Sequence, residues 1–80
     1  MDWKLPKSRI VGTKQTLRAL KDGIAKKVYI AKDADINIVS SIVNMAKQCN
    51  VEIVYIDDME ELGRLCSIDV NAAAACLVND

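Results

Sequence analysis

The sequence predicts a layered α/β fold, with helices on both faces of one sheet. Two observations predict it. Runs rich in β-branched and aromatic residues alternate with segments of helical apolar period, and the connections between them are short. At 80 residues the chain has room for one domain, 1–80, and none for a second. It contains no internal repeat, linker or low-complexity stretch.

The elements follow in order. Residues 1–8 hold Trp3 and Pro6 and read as a short cap with Trp3 packed on the body. Ile10 and Val11, just before Gly12, suit a short edge strand. Thr13 is a good N-cap residue. Beyond it Leu17, Leu20 and Ile24 fall at helical spacing, while Lys14, Gln15, Arg18, Lys21 and Asp22 make one polar face. Gly23 suits the position just past a helix end, so the spacing predicts a helix over 13–22. Residues 27–31 (KVYIA) read as a buried central strand. The polar turn 32–35 ends in Asp35, a candidate cap for a helix over 36–48. Its apolar stripe is Ile38, Val39, Ile42, Val43, Ala46 and Cys49.

Residues 52–56 (EIVYI) form the next strand. Asp57 with Glu60 resembles a capping box, and Met59, Leu62, Leu65 and Cys66 give the following helix its apolar face. Gly63 inside that helix costs up to about 1 kcal/mol against alanine, which close packing would explain. Residues 67–71 form a loop. For 72–78 (AAAACLV) alanine favours helix and the preceding alternation favours a strand; the strand is chosen. The predicted order is β-α-β-α-β-α-β.

Composition narrows the function classes. An apolar content of 51 % suffices for one core, and 28 % charged residues match a globular surface. No apolar run approaches the roughly 20 residues of a membrane helix, and the N-terminus lacks a signal-peptide core. A cytoplasmic protein without a membrane partner is expected. Cys49, Cys66 and Cys76 include no C-x-x-C pair, and there is no histidine to complete a zinc site. All three are expected as small core residues, with no metal site.

An enzyme is not expected. Histidine is absent, as are G-x-x-x-x-G-K-[ST] and G-x-G-x-x-G loops. The clusters Asp33/Asp35 and Asp57/Asp58/Glu60/Glu61 have the chemistry to hold Mg²⁺, but their helix-cap positions give them a structural role instead. No catalytic residue and no cofactor is expected.

The formal net charge is zero, yet residues 1–32 carry nine cations against two carboxylates, and residues 33–80 carry two against nine. Either the surface is dipolar, with one face suited to polyanions, or the fold interleaves the halves and the charges pair. The first turn of the 13–22 helix adds free N–H groups and the positive end of a macrodipole. Lys14, Gln15 and Arg18 stand on that end, with the donors and acceptors that read phosphates and base edges. An ordinary solvated face has the same spacing.

Three motifs carry a resemblance: GTKQTLRALKDG, AKKVYIAKDAD and LGRLCSIDVNAAAA. In this order and spacing the chain resembles the kink-turn RNA-binding ribosomal protein superfamily over residues 9–78, and most of all its short bacterial ribosomal-protein-like branch. The resemblance implies a three-layer α/β/α sandwich with a mixed four-stranded sheet. It implies RNA binding at a sharply bent element with sheared G·A pairs and an extruded nucleotide, in ribosomal or riboswitch RNA. The family's G-x-N-E-x-x-K pattern falls on Gly12, Lys14, Gln15 and Arg18, with Lys for Asn, Gln for Glu and Arg for Lys; Thr13 lies within it.

A second RNA-contacting element falls on Ile68, Asp69, Val70, Asn71 and Ala72, where Ile68 and Val70 would touch the unstacked base. Ser67 stands where glycine is common. A third falls on the 32–35 turn, with Lys32 and Asp35, and Ile36 replaces a frequent proline. The implied partner is structured RNA containing kink-turns, on or off the ribosome, bound by a monomer. The alternative is a ribosome-associated protein-interaction module on the same fold.

Overall fold

A computed structural model describes residues 9–78, so the expectation for Trp3 and Pro6 lies outside the described residues. Seven elements follow in the predicted order: β1 (Arg9–Val11), α1 (Thr13–Lys21), β2 (Ala25–Ala31), α2 (Ile36–Gln48), β3 (Glu52–Ile56), α3 (Met59–Leu65) and β4 (Ala74–Val78). The strands form one mixed sheet in the order β1-β4-β2-β3. β2 and β3 run parallel, with Ala31 opposite Ile56, and β4 runs antiparallel to both β1 and β2. A parallel pair needs a crossover, and α2 supplies it.

Strand side chains alternate between faces, which makes three layers. Val28 and Ile30 of β2, with Ala74 and Cys76 of β4, pack under Ala19 and Leu20 of α1 and Val39, Ile42 and Ala46 of α2. Tyr29, Ala31, Ile56 and Ala75 pack on the opposite face against Leu62, Leu65 and Cys66 of α3. β2 is therefore buried on both faces, as its unbroken apolar run predicts.

Each helix ends in the same turn. Gly23, Asn50 and Ser67 follow α1, α2 and α3 with φ of 73°, 55° and 60°. The next amide in each case reaches back: Ile24 to the Ala19 carbonyl, Val51 to Ala46 and Ile68 to Gly63. Gly23, Asn50 and Ser67 themselves donate to Leu20, Lys47 and Arg64. These are Schellman turns, and they satisfy carbonyls that a helix end leaves bare.

Several expectations need correction. Thr13 does not cap α1: Gly12 does, at φ 117° and ψ 152° with no side-chain cap, and α1 ends at Lys21. That backbone region is essentially reserved for glycine, and a Cβ on Gly12 would also collide with Gln15 Oε1. The side-chain cap of α3 lies one residue later than predicted, without the reciprocal bond of a capping box among the described residues. Asp58 accepts from the Glu61 amide at 2.7 Å, while Asp57 turns to Lys32. Asp35 does cap α2, accepting from the Asn37 amide at 2.9 Å.

Ile38 is half exposed, and Cys49 is exposed at the C-cap of α2 rather than in the core. The buried stripe of α2 is Val39, Ile42 and Ala46, narrower than the sequence stripe because α2 covers the sheet with one edge of its apolar face. Ile24 lies beyond α1 and is 41 % exposed. Thr16 is buried in its stead, one turn before Ala19 and Leu20. Its hydroxyl makes no well-aligned hydrogen bond, and the Cys76 thiol is its polar neighbour.

Candidate nucleic-acid interface

Strand direction decides where the predicted residues meet. β2 and β3 both finish at one end of the sheet, and β4, antiparallel to β2, begins there. β1 is antiparallel to β4, so it finishes there too, and α1 starts there. Backbone hydrogen bonds join these segments. The Gly12 amide donates to the Ala74 carbonyl at 2.9 Å, and the Ala31 amide to the Ala73 carbonyl at 3.0 Å. The entry to β4 is thus wedged between the junction preceding α1 and the turn preceding α2.

At this end α1 presents Lys14, Gln15 and Arg18, all exposed, with Gly12 and Thr13 half-buried at its start. Gln15 folds back over Gly12. The 32–35 turn brings Lys32 and Asp35 to the same end. Lys32 Nζ lies 3.5 Å from Asp57 Oδ1 with both side chains largely exposed, so this pair contributes little energy.

The 67–72 loop approaches from the other face. It doubles back along α3, from the Ile68 amide on Gly63 to the Ala72 amide, which donates to the Met59 carbonyl at 3.1 Å. α1 and this loop therefore straddle the sheet end from opposite faces. Asp69, Val70 and Asn71 are exposed, Val70 at 68 %. Ile68 is half-buried and packs against the core beside α3, because the residue after a Schellman turn folds back onto its helix. Val70 is the apolar side chain that faces solvent.

Two other cations, Arg64 and Arg9, are engaged within the protein away from this end. Arg64, further along α3, is bound to Glu61 at 2.7 Å and Glu60 at 3.3 Å. The Glu61 hydrogen bond and charge hold its guanidinium even more firmly protonated. Arg9 Nε donates to the Cys66 carbonyl at 3.0 Å, capping α3. Burial pushes the Cys66 and Cys76 thiols up; Arg9 opposes the shift at Cys66, and Thr16 and the Ile10 backbone oppose it at Cys76. Among the described residues no cluster of three or more His, Cys, Asp or Glu is placed to hold a metal ion. None of the described helices is long and apolar enough to cross a membrane.

A family model described as the ribosomal protein L7Ae/L30e/S12e/Gadd45 family matches residues 4–80. The chain belongs to this family. An L7Ae-family relative from Caldanaerobacter subterraneus subsp. tengcongensis, named an RNA-binding protein, is 50 % identical over 70 residues, covering 88 % of this chain and 85 % of its own. A second so named, from Geobacillus sp. (strain WCH70), is 46 % identical over 69 residues, covering 86 % and 84 %. Among solved structures, the Giardia lamblia 15.5kD RNA binding protein matches with a TM-score of 0.86 and 29 % identity over 92 % of this chain. The chain spans 62 % of that protein's length. The names of these relatives describe binding proteins, not enzymes.

Within this L7Ae-family chain, the sequence named Asp33 and Gly63 in structural roles but not the segments they bind to. Asp33 accepts from the Met59 amide at 2.8 Å, and Gly63 lies against the Val70 carbonyl. Neither contact has a local signature, because each partner lies on another segment. The glycine inside a helical pattern was the one available signal, and it pointed to close packing without naming the neighbour.

Proposed function

We propose that this chain is a non-catalytic RNA-binding protein that recognises and stabilises kink-turns in structured RNA. In this reading it acts as a cytoplasmic monomer formed by a single domain. One observation carries the proposal: the exposed Lys14, Gln15 and Arg18 at the start of α1 share one sheet end with the exposed 69–71 segment. Two kinds of recognition then work side by side. The α1 end offers unpaired N–H groups, positive charge and an amide for phosphates and for the edges of the G·A pairs. Val70 offers an apolar surface for an unstacked base, with Lys32, Asp35, Asp69 and Asn71 around it. The names of the relatives support the RNA part of this reading.

The test is binding to a kink-turn RNA and to the same RNA with its G·A pairs disrupted. Preference for the intact motif is expected, weakened by Arg18→Ala and by Gln15→Ala. Lys47→Ala, at the far end of α2, should change it little. Equal affinity for both RNAs would leave only generic polyanion binding.

A second reading, a protein-interaction module, is favoured by one feature. Ile36, Val39, Val43 and Tyr55 line a groove between α2 and the outer strand β3, with Ile36 74 % exposed. If the purified protein bends a labelled kink-turn alone, no protein partner is needed for the RNA step.

A further inference from the structure

We infer that Asp33 is a positioning residue that fixes the spacing between the 32–35 turn and the 67–72 loop. The inference rests on the RNA-binding reading of those two segments. The geometry is a closed circuit. The Ala31 amide donates to the Ala73 carbonyl, and the next residue back, Ala72, donates its amide to the Met59 carbonyl. The Met59 amide then donates to Asp33 Oδ1 at 2.8 Å, and Asp33 is two residues from Ala31. Three hydrogen bonds and three short pieces of chain (31–33, 72–73 and Met59 itself) make a ring, and Asp33 supplies its one side-chain link.

The bond caps the first amide of α3 from another segment of the chain. α3 already has its own cap, since Asp58 accepts from the Glu61 amide at 2.7 Å. Asp33 adds a second carboxylate to the same helix end from a different loop. The Lys32 amide donates to the Ile56 carbonyl at 2.8 Å, which holds the start of the turn to the end of β3, while the side-chain pair Lys32–Asp57 is exposed, at 3.5 Å, and holds little. The ring therefore sets where Lys32 and Asp35 stand relative to Val70 and Asn71 before any RNA arrives. A loop ordered in advance loses less freedom on binding.

Charge gives the test its discrimination. Asp33→Ala and Asp33→Asn both remove one negative charge near the RNA, which by itself strengthens attraction to phosphate. Only Asp33→Ala removes the acceptor. Asp33→Ala is expected to lower kink-turn affinity about threefold to tenfold, the scale of reordering a freed segment, while affinity for G·A-disrupted RNA holds or rises. Asp33→Asn should keep the preference, and Asp33→Glu, with the charge but a longer arm, should lose part of it. A readout without RNA accompanies these: Asp33→Ala should speed Met59 amide exchange and increase backbone motion at 69–72, and Asp33→Asn should restore both.

An unchanged preference and unchanged loop motion in Asp33→Ala would overturn the inference, as would Asp33→Asn behaving like Asp33→Ala. If Asp33→Ala fails to fold, the Asn and Glu variants decide it by the same two readouts. If the unaltered protein does not prefer the intact kink-turn, the functional reading falls, and the RNA-free measurement still decides whether Asp33 spaces the two segments.

Discussion

The carbonyl oxygen of Val70 occupies the place that a side chain on Gly63 would need. The helix and the loop are in contact through a missing methyl group. Gly63→Ala should lower stability by about 1–3 kcal/mol, the range for forcing an extra carbon into a packed site. The neighbour is backbone, so it can yield only by moving the loop. Denaturant midpoints and the amide shifts of 68–72 measure both effects. A variant as stable as the parent, with unmoved shifts, would show the contact to be loose.

Ser67 holds a left-handed conformation, φ 60°, at the end of α3, where α1 uses Gly23. A non-glycine residue there costs roughly 1 kcal/mol. Ser67→Gly should therefore stabilise the protein by up to about 1 kcal/mol, less the extra freedom that glycine gives the unfolded chain. Thermal unfolding reads the sign, and a fall in midpoint would contradict it.

Salt separates the roles of the α1 cations. If Lys14 and Arg18 each neutralise a phosphate, each alanine variant should reduce the slope of log affinity against log salt by about 0.7–0.9. Gln15→Ala should leave the slope alone and reduce the preference for intact G·A pairs. The measurement is a titration of RNA binding at several salt concentrations.

The thiols should divide by exposure. Cys49 is exposed, and Cys66 and Cys76 are fully buried. Under native conditions one thiol should react with a disulfide reagent, and the other two only on unfolding. Burial raises the pKa of Cys66 and Cys76 above the ordinary value of 9.0. A group with a raised folded pKa contributes stability that is present below its unfolded pKa and lost as pH rises through the folded one. Stability should hold below pH 9 and decline above it; Cys76→Ala should flatten part of that decline.

The fold was legible because the signals that carry it are local. The apolar run 27–31 and the helical period over 36–48 needed no partner to be read, and the mixed four-stranded sheet followed from the family resemblance, while the strand order came only with the structure. Cap positions were less legible. Asp57 and Asp58 are adjacent carboxylates, and only the path of the chain out of β3 decides that Asp58 caps while Asp57 meets Lys32. Gly12 replaced Thr13 as the start of α1 because β1 runs straight into the helix and needs a positive φ to turn. On the candidate site, spacing put Lys14, Gln15 and Arg18 on one exposed helix face, as an ordinary solvated face also would, and the family resemblance is what pointed to RNA. The link from Asp33 to Met59 was not legible, because it joins two segments that the sequence keeps apart.

β4 lies between β1 and β2 in the sheet, yet it follows every other described strand in the chain. The sheet end that carries the candidate site cannot be completed before β4 inserts, since Gly12 and Ala31 both bond to the residues at its entry. A partly made chain has α1 and its cations but no second half of the site. Pairings between distant segments also form late in folding. In the proposed mode, RNA capture would work as an inspection step: a chain that has not closed its sheet offers charge alone, and only a finished one offers shape.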